Sequence, residues 1–424
     1  MGEMYWLVVP RKEYKYVYGI IRKYYGEWIN VIEEGETIPD TGYVIELKPG
    51  FNEMKLLKPT HVVAYSGSRS IKTLPPRELL RLVEKARAKI RLSASFTKCH
   101  RLDENGTKLY GLEPHPGYDI YFMIGEEARS TLITLGVENP PQNPLLVRRF
   151  GGVNDLYSGT LIRSRMIISD SYGEIQVENY NVDRIDNNLN DLVTENRDIL
   201  REHLRICKNV LGSIGTPDIV IVSFSGGKDS IVVLDIAIKY YGKDKVIPIF
   251  VDTGLEFPQT IEYVDRVSEY YDIEVVKAYA GIDKAVKELG LPSRNNRWCT
   301  GLKTRAFMDK VEEVSKGYDK VLIVVGDRDA ESASRSHRSP IRYKGKFIEV
   351  SLIKQWSTAH VQLYSIINNL PENKLYSLGF YRTGCYICPS LRSLELHIMK
   401  DTLWHELKKY PYINEFLEKK KHEH

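Results

Sequence analysis

VSFSGGKDSIVVLDIAIKYYG, residues 222–242, places two glycines, a lysine, an aspartate and three serines between two apolar runs. The run before it, Ile219-Val220-Ile221-Val222, is β-branched and too short for a typical helix, and it reads as a buried parallel strand. After the loop, Ile231, Leu234, Asp235 and Ile238 recur at helical spacing around Ala237. The unit is strand, tight glycine loop, helix. Such a loop aims several backbone N–H groups and the positive end of a helix dipole at one point, which makes an anion site whose usual occupant is phosphate. Ser223, Ser225, Gly226 and Gly227 are the candidate cradle, and Lys228, Asp229 and Ser230 the candidate catalytic residues. The loop is not of the G-x-x-x-x-G-K-[ST] type. It reads as an exposed turn, so substitutions at Lys228 or Asp229 are expected to spare the fold.

Ser225-Gly226-Gly227-Lys228-Asp229-Ser230 resembles the S-G-G-x-D-S signature of the PP-loop ATP pyrophosphatases. Four further stretches resemble one branch of them, the phosphoadenylylsulfate (PAPS) reductase family, in the family's order. VDTGLEFPQTIEYV (251–264) is similar to its D-T-G-x-x-F-P-E-T segment, with Gln259 in place of the glutamate. NNRWCTGLKTRAF (295–307) resembles the segment holding C-C-x-x-R-K, with Trp298 for one cysteine and Leu302 for the arginine. VGDRDAESASRSHRSP (325–340) resembles the G-x-R-x-x-E-S-x-x-R block, and WSTAHVQLYSIINNLPENKLYSLGFYRTGCYICP (356–389) the closing segment with its G-C-x-x-C-P end. The resemblance spans roughly residues 200–395. It implies a parallel-sheet α/β domain, adenine nucleotide-alpha-hydrolase-like, that splits ATP between its α and β phosphates.

The resemblance also implies a nucleotide site that extends to Asp252, Thr253, Lys303, Arg328, Arg335 and Arg338. Asp252 ends an apolar run, and residues at the carboxyl ends of parallel strands face the ligand crevice. It could orient a ribose, a base or Mg²⁺, or simply cap the next helix. Arg328, Arg335, His337 and Arg338 form a dense cationic cluster suited to phosphate or sulfate, unless they are a solvated charge run. Cys385 and Cys388 have C-x-x-C spacing, and Cys299 lies elsewhere in the chain. Their residue types fit a metal centre, zinc included, or a plain thiol pair. The iron-binding relatives supply four cysteines to a [4Fe–4S] cluster, so the resemblance implies here a cluster held by three.

The intact loop favours ATP-dependent adenylation over simple reduction of a sulfonucleotide. No cysteine follows Cys388, which removes the tail thiol of the thioredoxin-dependent reductases. The reading is a PP-loop enzyme of sulfur chemistry, with ATP, Mg²⁺ and a [4Fe–4S] cluster, in which AMP-forming adenylation is coupled to sulfur transfer. The alternatives are a PAPS or adenylylsulfate reductase and a nucleotide-binding regulatory module without turnover.

The 424 residues suit two or three domains: 1–140, a mixed α+β region; 141–190, a connection containing strand and turn material; and 191–424, the catalytic domain. Pro75-Pro76 opens a helix with Leu79, Val83, Ala86 and Ile90 on one stripe and Arg77, Arg81, Lys85, Arg87, Lys89 and Arg91 on its other faces. Between 61 and 110, eleven Lys or Arg stand against four Asp or Glu. Arg77, Arg81, Lys85 and Lys89 therefore offer a face for tRNA or another nucleic-acid acceptor, or a solvated helix face. NPPQNP (139–144) reads as a linker or a rigid turn. A net charge of +4 does not by itself argue for nucleic acid, and five cysteines make no disulfide framework. No apolar run approaches a membrane span and no signal-peptide pattern opens the chain, so a cytoplasmic protein is expected, with a sulfur- or electron-donor protein among its partners.

Overall fold

In the computed structural model, which describes residues 4–38, 40–170 and 173–422, the run Ile219–Ser223 lies inside a six-stranded sheet. Its order is Val276–Tyr279, Val246–Asp252, Ile219–Ser223, Val321–Val325, Phe347–Ser351, Ile341–Lys344. All neighbours pair parallel except the antiparallel edge Ile341–Lys344. Alternate residues of the strand go to opposite faces. Val220 and Val222 pack with Ile231 and Leu234 of the helix Lys228–Tyr241 and with Val210 and Leu211 of the helix Leu189–Ile214. Ile219 and Ile221 pack with Val311 of the helix Trp298–Val314. Burial on both faces is why this strand is apolar throughout rather than alternating. The strand order reverses beside Ile219–Ser223, which opens a crevice at the carboxyl ends. The parallel α/β fold expected of this half is the one observed.

The N-terminal region has a sheet of its own, ordered Ile29–Glu33, Tyr5–Val9, Tyr43–Lys48, His61–Tyr65, Lys55–Lys58. Its first four strands pair parallel and only Lys55–Lys58 is antiparallel. The helix Pro76–Leu92 falls where its apolar stripe places it, and another helix spans Tyr14–Tyr25. Parallel pairing was not legible, because distant parallel partners leave no hairpin signal between them. An antiparallel sheet follows, ordered Gln176–Asn179, Leu161–Ile167, Val153–Ser158, Leu145–Arg148, Asp119–Phe122. It takes strands from both sides of residue 140, where the sequence suggested a boundary. NPPQNP is the ordered turn variant, with Asn139 and Asn143 at positive φ and Asn143 and Asn187 bonded to each other's carbonyls at 2.8 and 2.9 Å.

The N-terminal sheet and the C-terminal half share one continuous core. The Tyr5 hydroxyl donates to Gln355 (3.0 Å), and Tyr43 meets His203 Nδ1 at 2.9 Å. Arg87 and Arg91 correct the sequence reading of their helix: both are buried. Arg87 pairs with Glu84 (2.6 Å) and Asp329 (2.5 Å) and lies over the rings of Tyr5 and Trp28. A helix covered on two sides buries more than its apolar stripe, and the charges it buries need partners. Among the described residues, no helix is long and apolar enough to cross a membrane.

Candidate functional site

The loop after Ile219–Ser223 is held from within by Ser230. Its hydroxyl accepts the N–H groups of Ser225 and Gly227, both at 3.2 Å, and donates to the Gly227 carbonyl at 2.9 Å. Gly226 has φ +70°, and a Cβ there would stand 2.8 Å from Thr260 Cγ2, so both its conformation and its space require glycine. These restraints pin the turn that opens the helix Lys228–Tyr241, whose N-terminus points its dipole at the crevice.

The side chains of Lys228 and Asp229 are not exposed, contrary to the expectation for this turn: they are 10% and 18% accessible. Lys228 Nζ contacts Asp229 Oδ2 at 3.0 Å and the Tyr381 carbonyl at 3.1 Å. Asp229 Oδ1 takes Arg328 Nε at 2.6 Å. Arg328 Nη1 continues to Asp119 Oδ2 at 3.1 Å, and Asp119 also accepts Tyr381 Oη (2.6 Å), Thr358 Oγ1 (2.7 Å) and the Thr358 N–H (3.0 Å). Burial opposes charge on both aspartates, but Arg328, with Lys228 at Asp229 and Arg148 at Asp119, holds them below the usual carboxylate range. Burial likewise opposes the Lys228 charge, and Asp229 more than restores it. The result is a buried chain of alternating charge, Lys228–Asp229–Arg328–Asp119, with both Asp229 oxygens already engaged by cations.

The other candidate nucleotide residues divide into four groups. Ser223 ends its strand and Ser225 is exposed on the loop. Asp252 Oδ1 accepts the Gly254 N–H at 2.8 Å, and Thr253 Oγ1 donates to Glu256 at 2.8 Å, so both shape the turn at the crevice mouth. Arg335 and Arg338 pair with Asp327 at 3.4 and 2.9 Å, and Arg335 also with Glu331. Arg328 alone of the arginine cluster reaches the loop. Lys303 lies instead beside Glu256, at 3.8 Å.

Lys303 also marks the thiol site. Burial works against its charge, while Glu256 and then the thiols of Cys385, Cys388 and Cys299 raise its pKa, so the ammonium is within electrostatic reach of all three sulfurs. The three cysteines belong to one largely buried apolar cluster. Cys385 and Cys388 act on each other so that Cys388 is held towards the thiolate and Cys385 towards the thiol. Trp298 Nε1, next to Cys299 in the chain, is buried without an acceptor among the described residues. Among those residues, no three His, Cys, Asp or Glu side chains converge tightly enough for a single metal ion. The donor types, three thiols near a cation in apolar surroundings, are those that iron–sulfur clusters and zinc share.

Sequence reasoning missed the groups that join these parts. Tyr376 Oη accepts the Lys228 N–H at 3.1 Å and meets Thr383 Oγ1 at 3.1 Å. Tyr381, Thr383 and Cys385 follow one another at every second residue, so one short segment touches both the loop and the thiols. Asp119, from outside the resembling region, carried no motif that could have flagged it.

Residues 219–391 match the phosphoadenosine phosphosulfate reductase domain. An uncharacterized protein of Methanocaldococcus jannaschii is 34% identical over 261 residues, 58% of this chain and 52% of that protein. Adenosine 5′-phosphosulfate reductase 2 of Bacillus subtilis is 26% identical over 203 residues, 47% of this chain and 84% of that enzyme. Among solved structures, the U34-tRNA thiolase of Methanococcus maripaludis with its [4Fe–4S] cluster aligns at TM-score 0.32 and 19% identity, over 54% of this chain and 82% of that one. The chain spans about half the length of the two curated M. jannaschii relatives it matches, at 52% and 53%. The stretch that matches the phosphoadenosine phosphosulfate reductase domain, residues 219–391, contains the six-stranded sheet, the glycine loop and the three thiols.

Proposed function

We propose that this protein is an ATP-dependent enzyme of sulfur chemistry, which activates an acceptor oxygen by adenylation and replaces it with sulfur. The observation that carries the reading is the segment 376–388, which contacts Lys228 through Tyr376 and Tyr381 and then supplies Cys385 and Cys388. Nucleotide and sulfur sites so joined suit two consecutive half-reactions. In the first, the acceptor oxygen attacks the α-phosphorus of ATP, the α–β bridge breaks and pyrophosphate leaves. Lys228 and the loop N–H groups neutralise the charge on the departing phosphates. Both Asp229 oxygens are engaged, so Asp252 is the better placed carboxylate for Mg²⁺, which keeps several waters and phosphate oxygens as ligands. In the second, sulfide attacks the activated carbon, the C–S bond forms as the C–O bond breaks, and AMP leaves with the oxygen. Cys299, Cys385 and Cys388 would hold a [4Fe–4S] cluster, which when bound supplies redox-active, sulfide-binding iron.

Incubation of anaerobically purified protein with ATP tests this directly. AMP and pyrophosphate are expected, with sulfite absent when adenylylsulfate or PAPS is offered instead. The reductase-family match favours the second reading, sulfonucleotide reduction, and sulfite without pyrophosphate would establish it.

A nucleic-acid acceptor has narrower support than the sequence suggested. Lys89 is paired with Glu104, leaving Arg77, Arg81 and Lys85 exposed and without ion pairs among the described residues. If tRNA is the acceptor, its binding to the full chain weakens steeply with salt, and replacing those three residues by Gln flattens the slope by about three phosphate contacts. Salt-independent or absent binding would leave a small-molecule acceptor.

A further inference from the structure

A cavity of about 400 Å³ lies where the antiparallel sheet meets the catalytic half, and the proposed reaction does not use it. It is lined by Arg148, Arg149, Phe150, Gly151 and Gly152 on one side and by Ala330–Ala333, Ser336, His337 and Arg392 on the other, with His115, Pro116 and Glu84 closing it. The RRFGG stretch (148–152) and His115 lie outside residues 219–391, so this chain builds the cavity by adding to the shared domain.

Its charges are unequal in a specific way. Each lining carboxylate already has a cation: Glu84 and Asp329 have Arg87, Asp329 also has Lys354, Glu331 has Arg335, and Asp170 has Arg294. Arg149 is tied to Asp155 at 2.7 Å. Arg148 has no carboxylate within ion-pair distance among the described residues; its Nη2 donates to the Ala330 carbonyl at 2.7 Å and its Nε is buried without a partner. Arg392 is only 6% exposed, reaches Glu395 no closer than 3.4 Å, and also has a buried Nε without a partner. Arg91 is buried behind the cavity, its guanidinium holding the Pro116 carbonyl. The positive field is felt by His115, which burial, followed by Arg81, Arg91 and Lys85, holds below the ordinary histidine range. Buried donors without acceptors cost free energy unless something supplies the acceptor.

We propose that this cavity is a second ligand site, for a small molecule whose phosphate, sulfate or carboxylate group is gripped by Arg148 and Arg392. Planar guanidinium groups suit such oxyanions. The volume falls in the range of small-molecule pockets and exceeds what a bare oxyanion fills, so the anionic group is one end of a larger ligand. The aromatic wall, where His115 and Phe150 meet edge to face at 4.5 Å, offers its other end an apolar surface. Gly152, at φ +76° with Ile168 O only 2.2 Å from where a Cβ would stand, keeps the RRFGG turn tight against the sheet. Arg148 and Arg392 both lie over the Tyr381 ring, at 5.1 and 4.8 Å, and the Tyr381 carbonyl holds Lys228. The second ligand therefore sits one aromatic residue from the phosphate loop. The site stands apart from the reaction proposed above and remains whether that reaction is adenylation or reduction.

Inorganic phosphate is the probe, added to the full-length protein while its melting temperature is followed. A saturable rise is expected in the wild type, and in Lys228→Ala as well, because the loop is a different site. Arg148→Gln and Arg392→Gln should each bind phosphate at least ~10-fold more weakly, the loss of one charged hydrogen bond. In case either variant folds poorly, phenylglyoxal labelling of wild type read by peptide mass spectrometry gives an independent measure: phosphate should protect Arg148 and Arg392. Loss of the rise in Lys228→Ala with retention in both arginine variants would assign the anion to the loop and overturn the proposal. So would the absence of saturable stabilisation, or labelling of both arginines that phosphate leaves unchanged.

Discussion

Asp229→Asn should abolish AMP formation from ATP and also remove about 3 kcal/mol of stability. Its carboxylate separates two buried cations, Lys228 at 3.0 Å and Arg328 at 2.6 Å. Without its charge Lys228 has only the Tyr381 carbonyl and the nearby aromatic rings, whereas Arg328 keeps Asp119 at 3.1 Å. That retained partner sets the loss at the low end of the range for a broken buried pair. Urea unfolding at neutral pH measures the stability change, and pyrophosphate release measures the activity. The pH dependence follows from the depressed native pKa values of Asp229 and Asp119. Their stabilising contribution is fully present above the unfolded carboxylate value, about 3.9, and is lost as pH falls through the lower native values. Asp229→Asn should therefore show a shallower acid limb than wild type. An unchanged unfolding midpoint would mean that the charge chain contributes little, and unchanged AMP formation would remove Asp229 from the catalytic reading.

The second large effect concerns iron. Cys299→Ser, Cys385→Ser and Cys388→Ser should each lose most of the iron and the broad visible absorption of anaerobically purified protein, while Cys99→Ser and Cys207→Ser keep both. The distinction rests on surroundings. Lys303 lies within electrostatic reach of the first three thiols, which share one apolar cluster. Cys99 and Cys207 belong to a different cluster, and Cys207 Sγ contacts the Leu352 carbonyl at 3.3 Å. Iron lost from the Cys99 variant would place a fourth ligand in the N-terminal region, and iron absent from the wild type would end the cluster reading.

What could be read from the sequence was local. The strand, glycine loop and helix from Ile219 to Tyr241 announce themselves because each is specified by neighbours within a few residues. The helix Pro76–Leu92 was legible for the same reason. What was missed is long-range electrostatics. Arg328 looked like one member of a surface cluster because Asp229 lies 99 residues away and Asp119 lies 209 away. Arg87 looked solvated because its partner Asp329 is 242 residues on. A charged side chain does not declare in sequence whether its counter-charge is water or a carboxylate from another layer.

The continuous core between the N-terminal sheet and the C-terminal half bears on how the chain is made. Tyr5 meets Gln355 across 350 residues, and Arg87 meets Asp329 across 242. During synthesis from the N-terminus, the first sheet is complete long before the surface that will cover it exists. At roughly 5–20 residues per second, Arg87 emerges about 10 to 50 seconds ahead of its partner. Through that interval the nascent sheet presents an uncovered apolar face, and Arg87 has Glu84 but not yet Asp329 as a partner. The first sheet can therefore be fully covered only once residues 320–356 have arrived.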